Sequence, residues 1–173
     1  IIPALAARRE DLIDLLNWHK PHVVHFSGHG SAANEIILER EDGLAQPVEP
    51  EALSTLFTIL KDNLQCVILN ACYSEGQARA IATHIDCVIG MADTITDTAS
   101  INFSAAFYRA LGYGRSIQEA FTLGCNAIEL AHLTEKAIPQ LLTLHSDPAK
   151  VVFLIPESRG PAVVAQPERV AAL

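Results

Sequence analysis

Two short segments of this chain combine reactive side chains with permissive backbone. Phe26-Ser-Gly-His29-Gly30 closes one apolar run, and Asn70-Ala-Cys72-Tyr-Ser74 closes another. A thiol becomes a nucleophile when it is ionised or when a nearby base can take its proton. Histidine is the side chain suited to that task near neutral pH. His29 and Cys72 are therefore read as base and nucleophile. Gly30 has no side chain, so a substrate carbonyl could approach its N–H. With the N–H of Cys72 it could form an oxyanion hole. Ser27 and Asn70 sit beside the pair and are read as substrate contacts. The chemistry that these groups suit is attack on a carbonyl carbon.

The other cysteines and histidines have plainer readings. A buried cysteine is ordinarily a small inert hydrophobe, and Cys66, Cys87 and Cys125 are read that way. Cys72 differs because it lies just past an apolar run, beside polar Asn70 and Ser74. His25 reads as a core or supporting histidine, and His19 and His22 as surface groups. His29 alone stands between glycines. No pair of cysteines has CxxC spacing, which removes the usual zinc and thioredoxin signatures. No metal and no cofactor is expected.

The elements that must position the pair can be read from periodicity and breakers. Leu5 to Lys20 carries Leu12, Leu15, Leu16 and Trp18 among charges, an amphipathic helix stopped by Pro21. His22–Phe26 reads as a strand. Glu35–Leu38 and Leu44–Val48 flank Asp42-Gly43, a hairpin signal. Pro50 opens a helix running to about Asn63. Cys66–Leu69 and Cys87–Met91 are apolar without alternation, as in strands buried on both faces. Helices are expected over Glu75–Ile85, Ala99–Leu111 and Ile117–Leu133, the last carrying Gly124 at some cost in propensity. A final strand is expected over Val151–Ile155. Strands alternating with helices predict a three-layer α/β domain with a mainly parallel sheet and a small hairpin after the histidine loop. Catalytic groups in such sheets gather at the carboxyl ends of the strands. Both reactive segments fall there. Residues 30–71 leave room for one hairpin and one crossover helix between neighbouring parallel strands.

Composition bounds the rest. The chain has 173 residues, half of them hydrophobic. That supports one compact domain and is too short for two full ones. The domain is expected over residues 1–156, with residues 157–173 as a linker or tail. The net charge of −8 and the lack of a basic stripe argue against a nucleic-acid partner. No apolar run approaches the roughly 18 residues of a membrane span, so no membrane association is expected. The thiols are read as reduced and the compartment as cytoplasmic. The chain opens on Ile1 and Ile2 without an initiator Met, and is expected to be a piece of a longer protein.

The two segments also carry a resemblance. His25-Phe-Ser-Gly-His-Gly30 and Val67-Ile-Leu-Asn-Ala-Cys-Tyr-Ser74 resemble the signature pair of the CHAT family, bacterial caspase-like domains related to caspases and separase. The similarity continues through Val88-Ile-Gly-Met91, Phe103-Ser-Ala-Ala-Phe-Tyr108, Ala110-Leu-Gly112, Ser116 and Ala120-Phe121. It spans nearly all of residues 10 to 130. The ordered pair of motifs is specific, whereas either alone is weak. The resemblance implies that His29 is the catalytic histidine and Cys72 the nucleophile. It implies a caspase–hemoglobinase-like sandwich whose first strand, normally central in the sheet, precedes Ile1. That strand is expected to complete the domain, from the same chain or a bound fragment. Caspases proper carry Gln-Ala-Cys followed by Arg, Gln or Gly and then Gly. This chain has Asn70-Ala71-Cys72-Tyr73-Ser74, so strict cleavage after Asp is not implied.

The function read from all this is a cysteine endopeptidase acting on protein substrates. It would be the regulated effector of a larger bacterial defence or cell-death protein, switched by a sensor or repeat domain in the same or an associated chain. The alternative is a non-catalytic scaffold or oligomerising signalling module. Nucleotide binding through Gly28-x-Gly30 is disfavoured, because a dinucleotide loop opens directly into a helix and this one leads to a hairpin. Specificity is read from Gly90-Met-Ala-Asp93-Thr-Ile-Thr-Asp97-Thr98, which follows the strand beside the one bearing Cys72 and is similar to an acidic stretch of separase, whose substrates are cut after Arg. Asp93 and Asp97 would select a basic residue before the cut. The plainer readings are that Asp97 caps the next helix and Asp93 closes a turn.

Overall fold

The computed structural model describes residues 2–153. Its elements, in chain order, are α1 (Arg9–His19), β1 (Val23–Ser27), β2 (Ile36–Glu39), β3 (Ala45–Val48), α2 (Pro50–Ile59), β4 (Cys66–Asn70), α3 (Glu75–Ala82), β5 (Cys87–Met91), α4 (Asp97–Gly112), α5 (Ile117–Leu130) and β6 (Pro139–Leu142). Four strands form one sheet in the order β1-β4-β5-β6, and β2 with β3 forms a separate hairpin. The β1–β4 and β4–β5 pairs are parallel, and β6 runs antiparallel to β5. This is the mainly parallel three-layer sandwich that the pattern predicts.

Alternation along the strands explains the layers. Val67, Leu69 and Val88 face one core, packed with Leu16 of α1, Leu53 and Phe57 of α2, and Ala78 and Ile81 of α3. Cys66, Ile68, Cys87, Ile89 and Met91 face the other, under Phe103 and Phe107 of α4 and Ile117 and Ile128 of α5. Both faces of β4 and β5 are covered, which is why their sequences are unbroken apolar runs. The steps from β1 to β4 and from β4 to β5 go the same way across the sheet. Right-handed crossovers therefore place α2 and α3 on the same face. Gly124 has a packing reason for sitting inside α5: a Cβ there would lie 2.6 Å from the Phe103 ring.

Three expectations need correction. Val151–Phe153 is not a strand; the rest of that expected strand, and the tail at residues 157–173, lie outside the described residues. The segment instead supplies partners to the start of α5, with Pro148 and Val151 carbonyls accepting from Gln118 and Ile117 N–H at 3.1 and 2.9 Å. Helix starts leave N–H groups without intrahelical partners, and these carbonyls take two of them. The last described strand is β6, which sequence reading passed over because Pro139-Gln-Leu-Leu142 has no alternation and begins on proline. Proline is tolerated there because β6 is an edge strand. Trp18 is 86% exposed and not on the buried face of α1, where Leu16 is the buried residue. Helices α2, α3 and α5 also stop three or four residues earlier than periodicity suggests, as helix ends commonly fray.

Candidate active site

The register of β1 and β4 sets the site. Ser27 pairs with Asn70 at the carboxyl ends of the two strands, and the ladder extends one step further, with Gly28 N–H donating to the Asn70 carbonyl at 3.3 Å. The two reactive segments therefore leave the sheet side by side. A Cβ at Gly30 would lie 1.9 Å from the Cys72 carbonyl oxygen, so the backbones of the two segments are in direct contact. The loop is held from its other side by the hairpin. Ile37 N–H donates to the His29 carbonyl at 2.9 Å and Ser31 N–H to the Glu35 carbonyl at 2.8 Å, on either side of a Gly30–Ile36 bridge. In that antiparallel pattern the bridging residue's own N–H points away from its partner. Among the described residues neither Gly30 N–H nor Cys72 N–H has a hydrogen-bond partner.

The turn after β4 is sharp. Tyr73 has φ 56°, in the left-handed region that non-glycine residues rarely adopt. It is fixed by its N–H to the Asp93 carbonyl at 3.4 Å and by Thr94 Oγ1 donating to its phenol at 2.9 Å. Buried Ser74 donates to the Leu69 carbonyl at 2.7 Å and accepts from Met91 N–H at 3.0 Å. Cys72 thus stands on a turn clamped to both central strands, half-buried, with Sγ 3.8 Å from the Ile95 carbonyl. His29 is exposed on the adjoining loop.

The remaining site residues separate into two groups. Asn70 is 6% exposed and donates to Ser100 Oγ at 2.5 Å and Ser104 Oγ at 3.3 Å, while its Oδ1 has no partner among the described residues. Ser27 is exposed beside it. Asp93 and Asp97 are both exposed on the segment that covers Tyr73. Asp93 accepts from Thr94 N–H at 2.6 Å. The residue that caps α4 is Thr96, whose Oγ1 accepts from Ala99 N–H at 3.3 Å, and Asp97 is the first residue of the helix. The helix begins two residues before the expected Ala99, so the capping position falls one residue before Asp97. Thr96 N–H is in turn taken by Glu135 at 2.7 Å. Sequence reading missed Ser100, Ser104 and Glu135. The spacing of Ser100, Ser104 and Tyr108, one helical turn apart on an otherwise apolar face, is the signal that could have found the first two.

A family model for the CHAT domain matches residues 4–123. The chain belongs to the CHAT family. It is 25% identical over 126 residues to a "Roc-COR-CHAT protease" of an unknown prokaryotic organism, covering 69% of this chain and 12% of that protein. It is 26% identical over 129 residues to a "Probable protease" of Gillisia limnaea, covering 72% of this chain and 23% of that protein. The CHAT chain thus spans less than a quarter of the length of either relative, and its relatives carry protease names. Among the described residues of this CHAT domain, no helix is long and apolar enough to cross a membrane.

The other cysteines behave as packing groups. Burial pushes the Cys87 thiol up to about 12 and that of Cys125 to about 11, and raises Cys66 well above its ordinary value. Cys66→Ala is expected to keep any activity the domain has and to lose roughly 1 kcal/mol of stability through the small cavity left. Parallel melting and activity curves check this; a loss of activity without loss of stability contradicts it.

His25 lies on β1 under α4, with Nδ1 2.9 Å from the Tyr108 hydroxyl and its ring stacked on the tyrosine at 5.5 Å. Burial lowers its pKa below the ordinary 6.5. The unfolded chain therefore binds the proton more readily than the folded one. The stability that His25 contributes as a neutral ring is full above pH 6.5 and declines as pH falls through that value toward the lower folded one. Urea midpoints measured from about pH 5 to pH 8 should show this slope, and His25→Gln should flatten it. Identical slopes in both proteins would exclude His25 as the source.

Proposed function

We propose that this domain is a cysteine endopeptidase in which Cys72 is the nucleophile and His29 the base. The observation that carries the reading is the contact of the Gly30 backbone with the Cys72 carbonyl, which leaves no space for a side chain. Such a contact brings a histidine-bearing loop to a thiol at the carboxyl end of a parallel sheet. His29 would assist removal of the Sγ proton, and the thiolate would attack the carbonyl carbon of a substrate peptide bond. The unpartnered N–H groups of Gly30 and Cys72 suit the oxyanion. His29 would then pass its proton to the leaving amine, and water would hydrolyse the acyl-enzyme. Ser27, exposed beside the pair, would contact the substrate. Asn70, expected to do the same, is buried against Ser100 and Ser104 and would instead support the turn that carries Cys72.

The protein substrate is cut, on this reading, after Arg or Lys. What supports this is that Asp93 and Asp97 are exposed on the segment bonded to Tyr73, next to the nucleophile. A positional library of fluorogenic peptides tests it. Basic residues should dominate the cleaved position, and Asp93→Asn or Asp97→Asn should weaken that preference by raising KM. A clear preference for Asp or an apolar residue excludes it.

The peptidase would act as the effector of a larger regulated protein in bacterial defence or cell death, switched by a sensor or repeat domain. The much greater length of both relatives supports the placement of the domain in a larger protein. A strand supplied from outside residues 2–153 would pair with β1, whose outer edge has no strand neighbour among the described residues.

A further inference from the structure

Gln77 lies in the first turn of α3, five residues after Cys72, and faces the core, where a polar side chain needs a reason. The Gln77 side chain is 0% exposed. Its Oε1 accepts from Ile36 N–H at 3.1 Å and its Nε2 donates to the Val48 carbonyl at 2.6 Å. Ile36 and Val48 are partners across the hairpin, so the single amide closes the open end of β2 and β3. The same β2 residues hold the histidine loop, through the Gly30–Ile36 bridge and Ile37 N–H to the His29 carbonyl. Gly76 adds a second point of contact, since a Cβ there would lie 2.8 Å from the Asn34 side chain in that loop. The helix that starts three residues after the nucleophile therefore grips the hairpin that holds the histidine loop.

We propose that Gln77 is a positioning residue that sets His29 against Cys72 by fixing the hairpin. The inference rests on the Cys72–His29 reading above. A buried amide with both ends bonded holds the two strand ends in one geometry, and an apolar side chain of the same length leaves an N–H and a carbonyl without partners. The misplacement would fall on His29 and not on Cys72, whose turn is held separately by Ser74 and Tyr73.

The test is the rate of Cys72 alkylation by iodoacetamide as a function of pH, with the modified cysteine identified by peptide mapping. Wild type, His29→Ala, Gln77→Met, Gln77→Glu and the His29→Ala/Gln77→Met double variant are compared. Gln77→Met should slow alkylation of Cys72 near neutral pH by roughly tenfold or more and give it the pH profile of His29→Ala. The double variant should be no slower than His29→Ala alone. Gln77→Glu keeps the shape of the side chain and the acceptor for Ile36, and burial favours its protonated form, which can still donate to the Val48 carbonyl. Its alkylation should stay near wild type at the acid end of the profile and approach His29→Ala as the buried carboxylate ionises. Continued protection of Cys66 and Cys87 reports that each variant is folded. Wild-type rates and profile in both Gln77 variants, with His29→Ala slow, overturn the positioning role alone. A wild-type profile in His29→Ala would overturn the dyad itself, and the role of Gln77 with it.

Discussion

Cys72→Ala is expected to abolish cleavage of every peptide that the wild-type protein cuts, with a fall in rate on the order of 10⁴-fold or more. The thiol supplies the bond-forming atom in the proposed mechanism, and no other described cysteine can replace it: Cys66 and Cys87 are fully buried, and burial holds the Cys125 thiol at about 11. Stability should change little. The Cys72 side chain is half-buried, and its one polar contact is the long 3.8 Å approach to the Ile95 carbonyl. A side chain so placed contributes at most about 1 kcal/mol. His29→Ala should likewise stop cleavage at an unchanged melting temperature, because the imidazole is exposed on its loop. Measured together, the activities and melting curves separate loss of chemistry from loss of fold. Undiminished cleavage by Cys72→Ala with an unchanged melt removes the nucleophile assignment.

Gly30→Ala should also be damaging, for a different reason. The new methyl would sit 1.9 Å from the Cys72 carbonyl oxygen, and both sides of the clash are backbone. No rotamer change can relieve it, so the histidine loop must withdraw from Cys72. A displacement of that kind is expected to lower kcat/KM by roughly 100-fold or more, and overpacking should lower stability by about 1–3 kcal/mol. Gly43→Ala supplies the control. Gly43 has φ 77° in the hairpin turn, with nothing within 4 Å of an added Cβ. Its substitution strains the backbone by about 1 kcal/mol or more and should leave the site working. Equal activity in Gly30→Ala and wild type would mean that the loop contact is not needed for chemistry.

Most of the scaffold was legible because its signals are local. The unbroken apolar runs at Cys66–Leu69 and Cys87–Met91 matched strands covered on both faces, and Asp42-Gly43 marked the hairpin turn. The two segments that end the His22–Phe26 and Cys66–Leu69 runs pointed to one end of the sheet, where the register of Ser27 with Asn70 brings them together. What was not legible depends on tertiary partners. β6 has a proline, a glutamine and two leucines, and exists because β5 offers it an edge. Val151–Phe153 looked like a strand but serves α5 as a source of carbonyls. Thr96, and not Asp97, became the cap of α4 because the helix starts at Asp97. Gln77 gave no sign in the sequence, since a polar residue in an amphipathic helix reads as surface until the hairpin is seen folded against it.

The central claim is that His29 activates Cys72 for attack on a peptide carbonyl. Its most direct measurement uses peptidyl acyloxymethyl ketones, which present a carbonyl to a thiol and leave a stable thioether. The protein is treated with probes ending in Arg, and the adduct is located by mass spectrometry of the intact chain and its peptides. The account predicts a single adduct on Cys72, absent in Cys72→Ala and strongly reduced in His29→Ala. Labelling of Cys72 at the same rate in wild type and His29→Ala, or labelling of another cysteine in its place, would contradict it.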